Sequence, residues 1–298
     1  MKPMRAQLTL MLMTTALLVG VAEAQTLRDR WRAQHAEVTA TTGQAMAYGK
    51  APLQSLDYWR GKGATPPLII FVHGGGWKRG SKDNATGAAK VEHYTGLGYA
   101  FASINYRLVP DATVEQQAQD VADAVAFLRG KAATLGFDPG RIVLMGHSAG
   151  AHLVALVGTD MRYFAKAGLA PDAVKGVIPL DGAAYDVAKQ MQESGRFMAG
   201  TYEQAFNTDP ARQQALSPTL HAAKPNAPAF LILHVDRADG AAQSQGLAAA
   251  LKAAGTPVEI HALEGRGLRG HMQINRSMGD PGYAGTVIVD AWLKRLVG

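Results

Sequence analysis

The chain has no cysteine among its 298 residues. That absence removes thiolate nucleophiles, thiol redox centres, thioether-attached haem, iron–sulfur clusters and cysteine zinc sites, so any nucleophile must be oxygen or nitrogen. It removes disulfides as well, and the fold must rest on core packing, which a chain of this length supplies in one domain. Charge is sparse, at 18%, and aromatic residues make up 7%, while 47% of residues are hydrophobic. A balance of that kind belongs to a globular protein and excludes a disordered tail, a collagen or a coiled coil. Lys and Arg number 30 against 24 Asp and Glu, and the surplus is not gathered in a run. With neither a basic stripe nor a reading motif, nucleic acid is not an expected partner. No apolar run reaches the roughly 20 residues that a helix crossing a bilayer requires.

The amino-terminal end is patterned. Lys2 and Arg5 precede an apolar stretch over residues 8–21, and Ala22-Glu23-Ala24 follows it. A basic segment, an apolar segment and an A-x-A site in that order predict a signal peptide over 1–24, a periplasmic or secreted location, and no stable membrane insertion after cleavage. Residues 25–298 then read as a single domain, because no linker rich in proline, glycine and serine divides them.

Residues 26–65 are weakly patterned and read as a short helix followed by irregular or edge-strand structure. From Leu68 the pattern sharpens. LIIFV (68–72), AFASINY (100–106), IVLM (142–145), VKGVIPL (174–180), AFLILHV (229–235) and PVEIHAL (257–263) are short runs rich in apolar residues, which predict strands. Val114, Ala118, Val121, Ala122, Val125 and Leu128 recur at three and four residues and predict a helix between the second and third runs. Further helices are expected over 243–254 and 286–296. Apolar strands alternating with helices imply an α/β fold, a mostly parallel central sheet with helices on both faces. Residues 186–226 are the least sheet-like and form a candidate helical insertion over the sheet, one wall of a pocket.

Gly146-His147-Ser148-Ala149-Gly150 follows the IVLM run and precedes AHLVALVG, which has helical character. G-x-S-x-G between strand and helix is a nucleophile elbow: a sharp turn that only glycine flanks leave room for, lifting Ser148 out of the sheet. His73-Gly74-Gly75-Gly76-Trp77 follows LIIFV. Consecutive glycines there free main-chain N–H groups to face an anion, and those of Gly75 and Gly76, with that of Ala149 at the helix start, are the expected oxyanion hole. A phosphate loop is excluded, since G-x-x-x-x-G-K-[ST] is absent. Trp77 is read either as an aromatic side of the acyl pocket or as a plug under the loop.

A serine hydroxyl needs an imidazole to take its proton and a carboxylate to orient that imidazole. In the order serine, acid, histidine, His271 is the expected base, placed after the last strand in the flexible-looking EGRGLRGHMQ. His261 lies within a strand pattern and reads as structural; His147 and His152 lie too close to the serine in sequence, and His73 is a loop or pocket-wall residue. The acid is expected after AFLILHV, where HVDRADG supplies Asp239, the favoured choice, and Asp236, the alternative. Asp181 also ends a strand and reads as a residue holding loop backbone near the site.

HGGGW at 73–77, NYRL at 105–108 and GHSAGAH at 146–152 resemble the α/β-hydrolases of the hormone-sensitive-lipase-like and feruloyl-esterase-like carboxylesterase group. The resemblance extends from about Leu68 to Leu296. It implies an α/β-hydrolase fold, Ser148 as nucleophile, His271 as base, Gly75, Gly76 and Ala149 as the oxyanion hole, no cofactor, and a small-molecule ester as substrate. It also implies that Tyr106 and Arg107 help to hold the glycine loop. The chain departs from the pattern at the acid, where the usual H-G-x-x-D stands as His234-Val235-Asp236-Arg237-Ala238-Asp239. The expected activity is that of a serine carboxylic-ester hydrolase working through an acyl-enzyme. An arylformamidase or other amide hydrolase is the enzymatic alternative, and a noncatalytic envelope-binding protein on a hydrolase scaffold is the non-enzymatic one.

Overall fold

The strand LIIFV is buried along its whole length, and its side chains divide by parity between two cores. Leu68, Ile70 and Val72 face one core; Ile69 and Phe71 face the other. Successive side chains of a strand point to opposite faces, so a continuous apolar run is what a strand covered on both sides requires. The computed structural model describes residues 42–84 and 86–298, all within one compact unit. The targeting segment expected over 1–24 and the first part of the weakly patterned region lie outside the described residues.

The eight strands among the described residues are β1 (Gln44–Ala47), β2 (Ser55–Trp59), β3 (Leu68–Val72), β4 (Ala100–Ile104), β5 (Ile142–His147), β6 (Gly176–Leu180), β7 (Phe230–Asp236) and β8 (Val258–Arg266). They form one sheet in the order β1-β2-β4-β3-β5-β6-β7-β8. The first two strands pair antiparallel and β2 runs antiparallel to β4; every other pairing is parallel. On one face, the helices Val114–Gly130, Ala149–Thr159 and Ala238–Ala253 contribute Val121, Val125, Leu153, Leu156, Leu247 and Leu251 to the core. On the other face, the helices Ala88–Gly96 and Ala284–Val297 contribute Val91, Tyr94, Val289, Trp292 and Leu293. Full burial of each such side chain is worth about 1.5–3 kcal/mol, so both faces are held mainly by apolar contact. The helix expected from Val114 starts behind a capping box, in which Thr113 accepts from the Gln116 N–H and the Gln116 side chain accepts from the Thr113 N–H. This is the α/β-hydrolase architecture.

Three differences from the sequence expectation bear on the site. The strand expected to stop at Met145 continues through Gly146 and His147, bringing the serine directly to the sheet's carboxyl edge. The helix expected from residue 243 begins at Ala238, because an alanine-rich start with Asp239 in its first turn is favourable at a helix N-terminus. The EGRGLRGHMQ stretch is the end of β8 followed by the helix Gly267–Ser277, so His271 lies on a helix and not on a loop. Between β6 and β7 the chain forms four helices, Val187–Glu193, Arg196–Phe206, Pro210–Ala215 and Pro218–His221. Among the described residues, no helix is long and apolar enough to cross a membrane.

Candidate active site

Parallel strands leave a crevice at their carboxyl ends, and the chemically capable residues gather there. The loop after β3 carries the glycines, Ser148 directly follows β5, Asp181 directly follows β6, and the helix beyond β8 carries His271. Among the described residues, three of the five non-glycine residues with positive φ lie in this row: Trp77 at 59°, Ser148 at 56° and Asp181 at 44°. Backbone held in such sparsely populated regions costs on the order of 1–3 kcal/mol per residue, a concentration typical of functional sites.

The elbow needs both of its glycines. A Cβ on Gly146 would lie 2.3 Å from the Gly150 carbonyl oxygen, and one on Gly150 would lie 2.1 Å from that of Val72 and 2.5 Å from that of His73. The backbone of the elbow therefore runs against the end of β3, which brings the glycine loop beside the serine: a Cβ on Gly74 would be 3.0 Å from Ser148 Cβ. The loop is held from below. Tyr106 donates its hydroxyl to the His73 carbonyl at 2.9 Å and stacks on the His73 ring, 4.4 Å between centroids. Arg107 grips the buried Asp120 through both its guanidinium and its main-chain N–H. The Trp77 carbonyl accepts from the Val109 N–H at 3.0 Å and from Gln117 Nε2 at 2.8 Å.

Trp77 is a plug. Its indole is 2% exposed, packed among His152, Tyr202 and Phe206 at centroid separations of 5.5, 5.9 and 4.8 Å. Its N–H reaches His152 Nδ1 at 3.3 Å, and the opposite nitrogen of His152 donates to the Leu216 carbonyl at 2.9 Å. Burial pushes the His152 imidazole down to about 4 and that of His73 to about 4, so both rings are neutral at neutral pH.

His271 joins two partners. Its Nδ1 donates to Asp181 Oδ2 at 2.6 Å, and its Nε2 lies 3.0 Å from Ser148 Oγ. The proton on Nδ1 leaves Nε2 free to accept from the serine hydroxyl. The His271 carbonyl in turn accepts from His147 Nε2 at 2.9 Å.

The carboxylate facing His271 is thus Asp181, and the expectation of Asp239, with Asp236 as alternative, is corrected. Asp236 is the last residue of β7; it points outward, two-thirds exposed, and pairs with Arg266 at 2.9 Å. Asp239 is drawn into the first turn of the helix Ala238–Ala253, where it accepts from Arg237 Nη1 at 2.9 Å and from Gln190 Nε2 at 3.3 Å. Asp181 leaves the neighbouring strand, β6, and is fully buried. Its Oδ1 accepts from the Val235 N–H at 3.1 Å, and its Oδ2 also accepts from Arg237 Nε at 3.2 Å. Burial alone would raise this carboxyl, but the hydrogen bond from His271 and the charge of Arg237 outweigh it and hold the group below the usual carboxylate value.

From the sequence Asp181 reads as a residue holding loop backbone, while Arg237 and the hold of His147 on His271 leave no sign there. The available signal for the first was an aspartate immediately after the fully buried run GVIPL, at the carboxyl end of a central strand. Among the described residues, no group of three or more His, Asp or Glu side chains is placed to hold a metal ion.

Comparison with known proteins places the chain in context. The model of the BD-FAE family matches residues 58–251, more than half of the chain, a span that contains the glycine loop, Ser148 and Asp181 but ends before His271. The esterase LipC of Mycobacterium tuberculosis is 31% identical over 201 residues, 64% of this chain and 49% of LipC. This chain spans about half the length, or less, of the first curated relatives it matches. Among solved structures, esterase B from Lactobacillus rhamnosis superposes with a TM-score of 0.70 at 21% identity, covering 94% of each chain. A truncated carbohydrate esterase from gut microbiota gives a TM-score of 0.71 at 21% identity, over 88% of this chain and 98% of that one.

Proposed function

Because this chain belongs to the BD-FAE family and aligns a serine, a histidine and an aspartate beside a glycine loop, we propose that it is a serine carboxylic-ester hydrolase acting on small-molecule esters. One observation carries the reading: the two nitrogens of His271 lie 3.0 Å from Ser148 Oγ and 2.6 Å from Asp181 Oδ2, one on each side of the ring. LipC, 31% identical over 201 residues, is an esterase, which supports an ester as substrate.

In this mechanism Ser148 Oγ attacks the ester carbonyl carbon while its proton passes to His271 Nε2. The imidazolium that forms is stabilised by Asp181, already bonded to Nδ1. The carbonyl oxygen becomes an oxyanion, and the N–H groups of Gly75, Gly76 and Ala149 are its donors; loss of one such donor typically costs about 3 kcal/mol, roughly a hundredfold in rate. Ala149 is the first residue of its helix, so its N–H has no partner within that helix and is available to the oxyanion. Collapse of the intermediate breaks the bond to the alcohol oxygen, which takes the proton from His271 Nε2. Water then gives its proton to His271 and attacks the acyl carbon, and the returning proton releases Ser148 and the carboxylic acid. Export is part of the same proposal, supported by Lys2 and Arg5 ahead of the apolar run over 8–21 and the Ala22-Glu23-Ala24 site.

Turnover of p-nitrophenyl acetate and butyrate, with stoichiometric labelling by a fluorophosphonate, tests the reading. The wild type is expected to do both and Ser148→Ala neither. Equal labelling of the two proteins, or no turnover of any short ester by the wild type, would overturn it.

A further inference from the structure

A carboxylate with no exposure to solvent is costly to keep ionised unless fixed charge and hydrogen bonds replace the lost water. Asp181 is in that position, and the titratable groups facing it come from several elements. His271 lies on the helix after β8, and His147 ends β5. Tyr185 follows β6, Tyr283 precedes the last helix, and Arg237 follows β7. Burial pushes the His147 imidazole down to about 3, with the adjacent His271 a smaller cause. Burial raises the Tyr283 hydroxyl to about 12 and pushes that of Tyr185 up as well. Those three are uncharged at neutral pH, and His271 must cycle between neutral and charged if it is the base. Arg237 alone in this set carries a permanent charge.

Its geometry is that of a clamp. Nε donates to Asp181 Oδ2 at 3.2 Å, while Nη2 donates to the main-chain carbonyls of Asp181 and Gly182 at 3.3 and 3.1 Å. One guanidinium thus grips both the carboxylate and the strained turn, at a φ of 44°, that presents it. Nη1 is taken by Asp239 Oδ2 at 2.9 Å. Asp239 is steadied by Gln190 Nε2, and the buried Gln190 uses its other amide atom to accept from the Ala184 N–H at 3.1 Å.

We propose that Arg237 is a positioning residue for the reaction, aiming the Asp181 carboxylate at His271, and that Asp239 positions Arg237 in turn. The inference rests on the hydrolase reading and deepens it. Asp239, three bonded contacts from His271, acts on the site through the arginine. Without Arg237, Asp181 keeps the Val235 N–H and His271 but loses its permanent counter-charge and the pin on its turn, so it takes up a proton at higher pH and its orientation loosens. All three guanidinium nitrogens are engaged within the protein, so the loss is expected in kcat rather than in KM.

The experiment compares wild type, Arg237→Met, Arg237→Lys and Asp239→Asn. Steady-state rates on p-nitrophenyl butyrate across pH are normalised to the fraction of protein that a fluorophosphonate labels. The low-field proton resonance of the His271–Asp181 hydrogen bond, assigned by its loss in His271→Gln, is recorded for each. For Arg237→Met we expect kcat per labelled site to fall about 10- to 100-fold. KM should stay within about twofold, the acid limb of the pH profile should move upward, and the resonance should shift. Arg237→Lys should recover part of the rate and Asp239→Asn should lose only a few-fold. A merely structural role would lower the labelled fraction while leaving the pH profile and the resonance in place, and that result would overturn the proposal; should Arg237→Met not fold, the same readouts on Arg237→Lys and Asp239→Asn decide. If the wild type turned over no ester while Arg237→Met still shifted the resonance, the esterase reading would fail and the clamp would stand.

Discussion

His147 gives its Nε2 proton to the main-chain carbonyl of His271 at 2.9 Å, and the two rings lie 4.6 Å apart between centroids. The residue just before the proposed nucleophile therefore holds the proposed base by its backbone. Being neutral, His147 keeps that proton to donate without placing a second cation beside the imidazolium that catalysis forms. His147→Phe keeps the ring's bulk and removes the donor. One buried hydrogen bond is worth about 1–1.5 kcal/mol, so kcat on p-nitrophenyl butyrate should fall about tenfold with KM nearly unchanged. An unaltered kcat would mean that the helix Gly267–Ser277 fixes His271 unaided.

Asp181→Asn replaces the carboxylate with an amide that cannot hold the histidine in its required tautomer. A loss of about 10⁴ in kcat is expected from that change in a serine, histidine and aspartate array. Asp236→Asn should stay within about twofold of wild type, since that side chain faces solvent and pairs with Arg266. Parallel rates on one ester check both, and a larger loss at 236 than at 181 would reverse the assignment of the acid.

Acid should destabilise the protein well above the carboxylate range. His73, His147 and His152 are held by burial at about 4, 3 and 4, against an ordinary value of 6.5. The unfolded chain takes up these protons as pH falls below 6.5 while the folded chain does not, so stability is full above that pH and declines toward pH 4. Each such histidine contributes a slope of up to about 1.4 kcal/mol per pH unit, about 4 kcal/mol per unit for three. Below about pH 4 Asp181 adds to the loss, because its folded value lies below its unfolded one. Urea unfolding at pH 7.5, 6 and 5 should show the midpoint falling, and His73→Phe should make the fall shallower by about a third. A flat response between pH 7 and 5 would contradict this account.

Gly150→Ala should be poorly tolerated. Its methyl group would meet two carbonyl oxygens of the β3 end, which are main-chain atoms with no rotamer to change. Backbone displacement of that kind costs about 3 kcal/mol or more, and it would move the glycine loop together with the serine. Thermal melting and ester turnover should fall together; a variant with wild-type melting would show that the elbow relaxes more freely than its packing implies.

Much of the fold was readable because the two buried faces of the sheet leave strands no polar positions, as in LIIFV and IVLM, and because Val114 to Leu128 repeat at helical spacing. Ser148 and the glycine loop were readable for a different reason: sterics demand glycine there, and glycine is visible in a sequence. The acid was not, because a carboxylate's partner depends on which strand lies next to which. Asp239 and Asp181 follow adjacent strands and both pair with Arg237, and only the full burial of Asp181 and its contact with His271 distinguish them. His147 was dismissed for its proximity in sequence to the serine, yet its ring reaches main chain 124 residues away.

The indole of Trp77 belongs to the glycine loop but is packed by Tyr202 and Phe206 of the segment between β6 and β7, and tied through His152 to Leu216 of the same segment. A chain that varies this segment also varies the support of the loop assigned to the oxyanion. Residues far apart in the chain are therefore tied together in their evolution: a substitution in the segment between β6 and β7 is felt at the glycine loop and would be expected to arrive with compensating ones around Trp77.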